Sequence, residues 1–269
     1  MGSNGAVWQF LITPEANSTQ NLYQSVFTNS ESEPVENSIN GYGFPTHRIS
    51  TRKQIKEISF TGEFTLLKDE INPFENYSYQ DTEEEYKVLD SLELKSNFET
   101  FLRETRLTAL PPEHKDYFDF DTYKRVFENL QILNEKVYRS INFTVGITHT
   151  ETTIKDILKL QAGVCQDFAH LFCAVARKNK VPTRYVSGYL HQGNGFFGDS
   201  QMHAWVECYI PNTGWVGFDP TNNILADHNH IKVCHGKNYM DCSPLKGIVF
   251  TAGSNETEYK VLVSSQQQQ

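Results

Sequence analysis

The sequence predicts an α+β chain, on three observations. The first part alternates apolar and polar residues in short bursts, the middle carries apolar residues three and four apart, and the last part returns to short strands between turn residues. Eighteen Phe and thirteen Tyr fit the half-buried faces of strands. A hydrophobic fraction of 38% over 269 residues is enough for one ordinary domain and a smaller one.

Residues 1–78 read as a small β-rich N-terminal domain. Strands are expected at residues 7–12, 55–60 and 63–67, with the Asn, Ser, Gly and Pro cluster at residues 37–45 between them. Residues 79–122 read as a helical connector. The acidic run at residues 81–85 is a solvated helix start, a further helix is expected over residues 96–107, and Pro111-Pro112 stops it.

Residues 123–269 read as the last domain. Val126, Leu130, Leu133 and Val137 make one apolar helix face. Thr153 and Asp156 have the spacing of a capping box for a short helix ending at Leu160. A longer helix starts near Cys165, repeats apolar residues at Phe168, Leu171, Phe172 and Val175, and ends before Pro182. Strands follow at residues 185–190, 202–210, 215–218, 231–233, 247–250 and 259–263, with a Gly-rich loop at residues 191–199. The four closing glutamines are low-complexity and are expected to be disordered.

The formal charge is −9, which argues against nucleic acid as a partner, because that needs clustered Lys and Arg. No run of about 18 apolar residues exists, so no membrane span is expected. The first residues lack a basic region and a small-residue cleavage site, so no secretory signal is expected. Five cysteines, all from Cys165 onward, include no Cys-x-x-Cys pair. That pattern points to free thiols in a reducing, cytoplasmic setting, with no metal and no cofactor.

One cysteine is set apart by its place. In Gly163-Val164-Cys165 a glycine permits a tight approach, and Cys165 falls in the first turn of a helix. Unpaired amides and the positive dipole end there favour a thiolate and can bind an oxyanion. The competing reading is a buried cysteine opening a core helix. His203 shifts the balance, since it opens a strand just after the Gly-rich loop and has the pKa of a base. Asp219 ends the next strand, where a carboxylate can orient the imidazole. Gln161, four residues before Cys165, is a candidate oxyanion donor, and Trp205 a candidate cleft wall. Asp167 reads as a helix-start charge, His170 as a packed helix residue and Glu207 as an ion-pair member.

Four segments make the chain recognisable. Residues 164–170 (Val-Cys-Gln-Asp-Phe-Ala-His), 185–189 (Tyr-Val-Ser-Gly-Tyr), 203–207 (His-Ala-Trp-Val-Glu) and 214–222 (Gly-Trp-Val-Gly-Phe-Asp-Pro-Thr-Asn) resemble the bacterial transglutaminase-like superfamily in order and spacing. The resemblance covers residues 120–250 and implies a papain-like α+β core, with the Cys helix packed on an antiparallel sheet that bears His203 and Asp219. It departs from the family's pattern at Lys237, where Arg is usual, and at Cys208, Cys234 and Cys242, which read as core substitutions. It further implies a Cys165-His203-Asp219 triad that attacks an amide carbonyl of a protein or peptide substrate and passes through a thioester. Hydrolysis is the leading expectation. Transamidation of protein glutamine and a non-catalytic binding module are the alternatives.

Strand geometry adds a condition. Side chains alternate faces along a strand, so His203 and Asp219 share a face only if their hairpin has an odd loop or a bulge.

Overall fold

The computed structural model describes residues 5–70, 81–193, 195–251 and 254–265. The first four residues, residues 71–80 and the closing glutamines lie outside that set, so the disorder expected of the glutamines is not addressed.

The N-terminal region holds β1 (Ala6–Phe10), β2 (Gln20–Asn29), β3 (Val35–Ile39), β4 (Pro45–Thr51) and β5 (Phe60–Lys68). β3 and β4 form a hairpin, turned by the Asn40 side chain, which accepts from the amides of Tyr42 and Phe44 at 2.9 and 3.0 Å. Gly43 takes φ 89° there, a value that suits glycine. β2 and β5 pair as a long ribbon, held to the sheet by the rings of Phe10, Phe27 and Phe60. Two strand expectations need correction. Residues 55–59 are not a strand, and the cluster at residues 37–45 contains the end of β3 and the start of β4.

The connector folds as α1 (Thr82–Asp90), α2 (Leu92–Asn97) and α3 (Glu99–Leu102). Asp81 caps α1 by accepting from the Glu83 amide. Glu85 is not solvated as expected. It is buried, pairs with Arg125 at 2.6 Å and accepts from the Val126 amide at 2.9 Å, which satisfies the start of the next helix. The helix expected over residues 96–107 is broken at Phe98, whose ring packs on Tyr209 and Trp215.

The chain then runs through α4 (Val126–Ser140), β6 (Asn142–Phe143), α5 (Ile154–Leu160), β7 (Ala162–Gly163) and α6 (Cys165–Lys178). The Thr153 and Asp156 capping box is formed. The strands β8 (Thr183–Leu190), β9 (His203–Ile210), β10 (Gly214–Asp219), β11 (Ile224–Leu225) and β12 (His230–Gly236) make one antiparallel sheet in the order β11-β10-β9-β8-β12. α6 lies on this sheet and buries Phe168, Leu171, Phe172 and Val175. Its last turn is tied down by buried Arg177, which donates to the carbonyls of Thr183 and Lys237, each at 2.7 Å. This is the expected α+β core, with the helix that starts at Cys165 packed on an antiparallel sheet.

Two short elements follow, α7 (Tyr239–Cys242) and β13 (Leu245–Val249). β13 pairs with β1, so the chain returns to the N-terminal sheet, whose order is β13-β1-β4-β3. Residues 259–263, expected as a strand, pair with none among the described residues. Among the described residues no helix is long and apolar enough to cross a membrane.

Candidate active site

Cys165 opens α6 from an extended Val164. Asp167 folds back to accept from the Val164 amide at 2.8 Å and from the Thr148 hydroxyl at 2.7 Å. Its carboxylate lies so close to Gly163 that a β-carbon there would meet it at 2.5 Å. The glycine therefore lets the chain enter the helix tightly, as its place before Cys165 implied. Cys165 is partly exposed, whereas Cys173, Cys208, Cys234 and Cys242 are buried.

β9 and β10 bring the other two residues into line. Ile210 pairs with Gly214 across a three-residue turn, with Asn212 at φ 61° and Gly214 at φ 92°. The loop is odd, as the shared face demanded. His203 and Asp219 are diagonal neighbours, and His203 Nε2 lies 2.8 Å from Asp219 Oδ2. Both side chains are fully buried. Asp219 is held by more than the histidine. Its Oδ1 accepts from the amides of Thr221 at 3.0 Å and Asn222 at 3.3 Å, and its Oδ2 also accepts from Asn222 Nδ2 at 2.8 Å.

The electrostatics follow from this packing. Burial by itself lowers the pKa of His203. The Asp219 charge and hydrogen bond, with the neighbouring Cys165 thiol, outweigh it and raise the pKa to about 10. Burial likewise raises Asp219, but the two facing histidines, His203 and His230, hold it well below the usual carboxylate range. With Nε2 committed to Asp219, Nδ1 is the ring nitrogen left open. Nδ1 has no ordinary hydrogen-bond partner among the described residues. An imidazole held this way can take and return a proton at the free nitrogen.

The remaining sequence candidates fall in different places. Trp205 is corrected: it is 2% exposed, so it cannot wall an open cleft, and its ring packs beneath His203 and His230. Gln161 closes α5 at φ 50° with an exposed side chain. His170 is buried and accepts from the Tyr239 amide at 3.1 Å; burial pushes its pKa down to about 3. Glu207 pairs with Arg184 and Lys232, and these cations outweigh burial to hold it at about 2.

His230, at the head of β12, was not singled out from the sequence. Its Nε2 lies 3.2 Å from Asp219 Oδ2. His203, Asp219 and His230 offer ligand atoms within 4.8 Å of one another. Both nitrogen–oxygen separations are hydrogen-bond lengths.

Comparison with known proteins agrees with this core. Residues 119–220 match the model of the Transglutaminase-like superfamily. A structure from Cytophaga hutchinsonii, described as a candidate cysteine protease, is similar in fold with a TM-score of 0.75. It matches over 98% of this chain and 90% of its own, at 19% identity. An uncharacterized protein of Mycobacterium tuberculosis is 34% identical over 167 residues, 56% of this chain and 53% of the relative. The chain thus spans about half the length of the curated relatives it matches. A protein-glutamine gamma-glutamyltransferase of Pseudomonas aeruginosa is 32% identical over 73 residues, 25% of this chain and 11% of that protein.

Proposed function

We propose that the chain is a cysteine-dependent acyl-transfer enzyme that hydrolyses an amide or peptide bond in a protein or peptide substrate. The observation that supports this reading is the buried His203–Asp219 pair with the Cys165 thiol beside it. A buried carboxylate holds one imidazole nitrogen at 2.8 Å, and the other nitrogen is left for a thiol at a helix start. In this reading the Cys165 proton passes to His203 Nδ1 as sulfur attacks the substrate carbonyl. The first-turn amides of α6, with Gln161 as a candidate side-chain donor, receive the oxyanion. The leaving amine takes the proton from Nδ1, and a thioester remains on Cys165. His203 then takes a proton from water, which attacks the thioester and frees the acid and the thiol.

A primary amine in place of water would give transamidation, the alternative favoured by the likeness to the Pseudomonas glutamyltransferase. A binding module that merely keeps the fold has no need of all three side chains in register. The free thiols support a reducing, cytoplasmic setting.

The test is alkylation of Cys165 by iodoacetamide at neutral pH, followed by peptide mass mapping, in wild type and His203→Ala. Wild type reacts at least about tenfold faster if His203 activates the thiol. Equal rates remove His203 as the base. Incubation with glutamine-containing peptides and a primary amine then separates the outcomes: release of free acid supports hydrolysis, and incorporation of the amine supports transfer.

A further inference from the structure

Asp219 Oδ2 faces two imidazoles. His203 Nε2 lies at 2.8 Å and His230 Nε2 at 3.2 Å from the same oxygen. His230 is 2% exposed, and its ring stands edge-on to Trp205 with centroids 5.2 Å apart. The same Trp205 ring also packs against His203.

The other side of the His230 ring meets Asp227. Nδ1 lies 3.2 Å from the Asp227 backbone nitrogen, which donates to it, and 3.2 Å from Asp227 Oδ1. A ring nitrogen that accepts from an amide carries no proton of its own. Nδ1 thus faces both a donor and an acceptor, whereas Nε2 faces the Asp219 carboxylate, so a proton on Nε2 satisfies that contact whichever partner Nδ1 takes.

We propose that His230 is a positioning residue for the His203–Asp219 pair. Its Nε2–H fixes the carboxylate in the position that faces His203, so that His203 keeps the tautomer and orientation its role requires. The proposal rests on the reading of His203 as the base for Cys165. The charged and titratable groups facing His230 are Asp219 from β10, His203 from β9 and Asp227 from its own loop. Asn222 is the third side-chain donor to Oδ2, and its amide can hold that oxygen but cannot lock a ring.

Two substitutions separate positioning from packing. His230→Phe keeps a ring beside Trp205 and loses the donor, and His230→Gln keeps an N–H donor. In His230→Phe the pH profile of Cys165 alkylation shifts by about one unit, and the rate at neutral pH falls roughly tenfold. His230→Gln restores most of both. A Phe variant with the wild-type profile, whatever its melting temperature, overturns the proposal. So does a Gln variant no better than Phe.

A measurement on the unsubstituted protein covers the case in which a variant fails to fold. With ¹⁵N-labelled histidine, His230 is expected to carry a proton on Nε2, and a proton on Nδ1 alone overturns the proposal. The Nε2 proton of His203 in the same spectra reports the pair directly. If His203→Ala alkylates like wild type, the reading of the base fails. The His203 proton signal, moved or unmoved in His230→Phe, still decides whether His230 holds the pair.

Discussion

A β-carbon at Gly198 would stand 2.5 Å from Nδ1 of His203. Gly198, in the connection between β8 and β9, therefore lies directly against the ring atom that the proposed mechanism assigns to the thiol. Gly198 has φ +89°, a conformation that side chains resist, so Ala is unfavourable there on two grounds. Gly198→Ala should displace the ring and slow alkylation of Cys165 by about 10- to 100-fold, because small misplacements of reacting groups are costly. The loop lies outside the core, so the melting temperature should change by only a few degrees. A wild-type alkylation rate would mean that the loop swings aside and the ring does not.

Cys165 should take nearly all the label when the folded protein meets limiting iodoacetamide near neutral pH. It is the one partly exposed cysteine, and the other four are buried. Burial also pushes the Cys173 thiol up to about 11, against the pull of Arg177, and raises Cys208 and Cys242. Cys165→Ala should abolish both labelling and turnover with little loss of stability, since the side chain lost is small and not in the core. Label spread evenly over Cys165, Cys173 and Cys208 would contradict the assignment.

Much of this site is legible along the chain, for local reasons. The tight Gly163 entry, the helix start at Cys165 and the odd turn after Ile210 each involve neighbours in sequence. What is not legible depends on distant pairing. β2 carries polar residues on both faces, so alternation does not reveal it, and its partner β5 lies far along the chain. Phe98 breaks a helix because of aromatic rings on β9 and β10. Trp205 shares the face of His203, as period two requires, but its burial follows from Gly188, which leaves room for the ring. His230 stands on β12, with β8 and β9 lying between it and the strand of Asp219, so no spacing links the two residues.

Asp219→Asn should slow Cys165 alkylation and turnover by at least about 100-fold while leaving residual activity. The reason is the direction of the hydrogen bonds. The amides of Thr221 and Asn222 hold Oδ1, so the amide oxygen of Asn would take that place. Its NH₂ would then face His203 Nε2, His230 Nε2 and Asn222 Nδ2, all donors to the native carboxylate. His203 would be driven to the other tautomer, with its proton on the nitrogen that should receive one. The variant should also be less stable, because three donors lose their acceptor. Unchanged kinetics in Asp219→Asn would remove this residue from the site.

Acid should destabilise the fold well above the carboxylate range, and His170 is a main cause. Burial, aided by the charge of Arg177, holds its pKa near about 3 in the folded chain, against an ordinary value of 6.5. Between these values the unfolded chain binds a proton that the folded chain refuses, so stability falls as pH drops below 6.5. The limiting slope is about 1.4 kcal/mol per pH unit, so His170 alone should cost about 2 kcal/mol between pH 6.5 and 5. His235, lowered to about 3 chiefly by burial, and His47, lowered by burial, act in the same direction. His203 does not. Its raised pKa makes a contribution that is complete below 6.5 and is lost as pH rises through about 10. Asp219 loses its contribution only as pH falls below the ordinary carboxylate range. In the window from pH 5 to 6.5 the histidines held neutral therefore lower stability, against the raised carboxyl of buried Asp167, which acts in the opposite direction. His170→Gln keeps an acceptor for the Tyr239 amide and cannot be protonated. Urea unfolding at both pH values should show a pH dependence smaller by about 2 kcal/mol in this variant than in wild type. An identical dependence would show that His170 takes up its proton without unfolding.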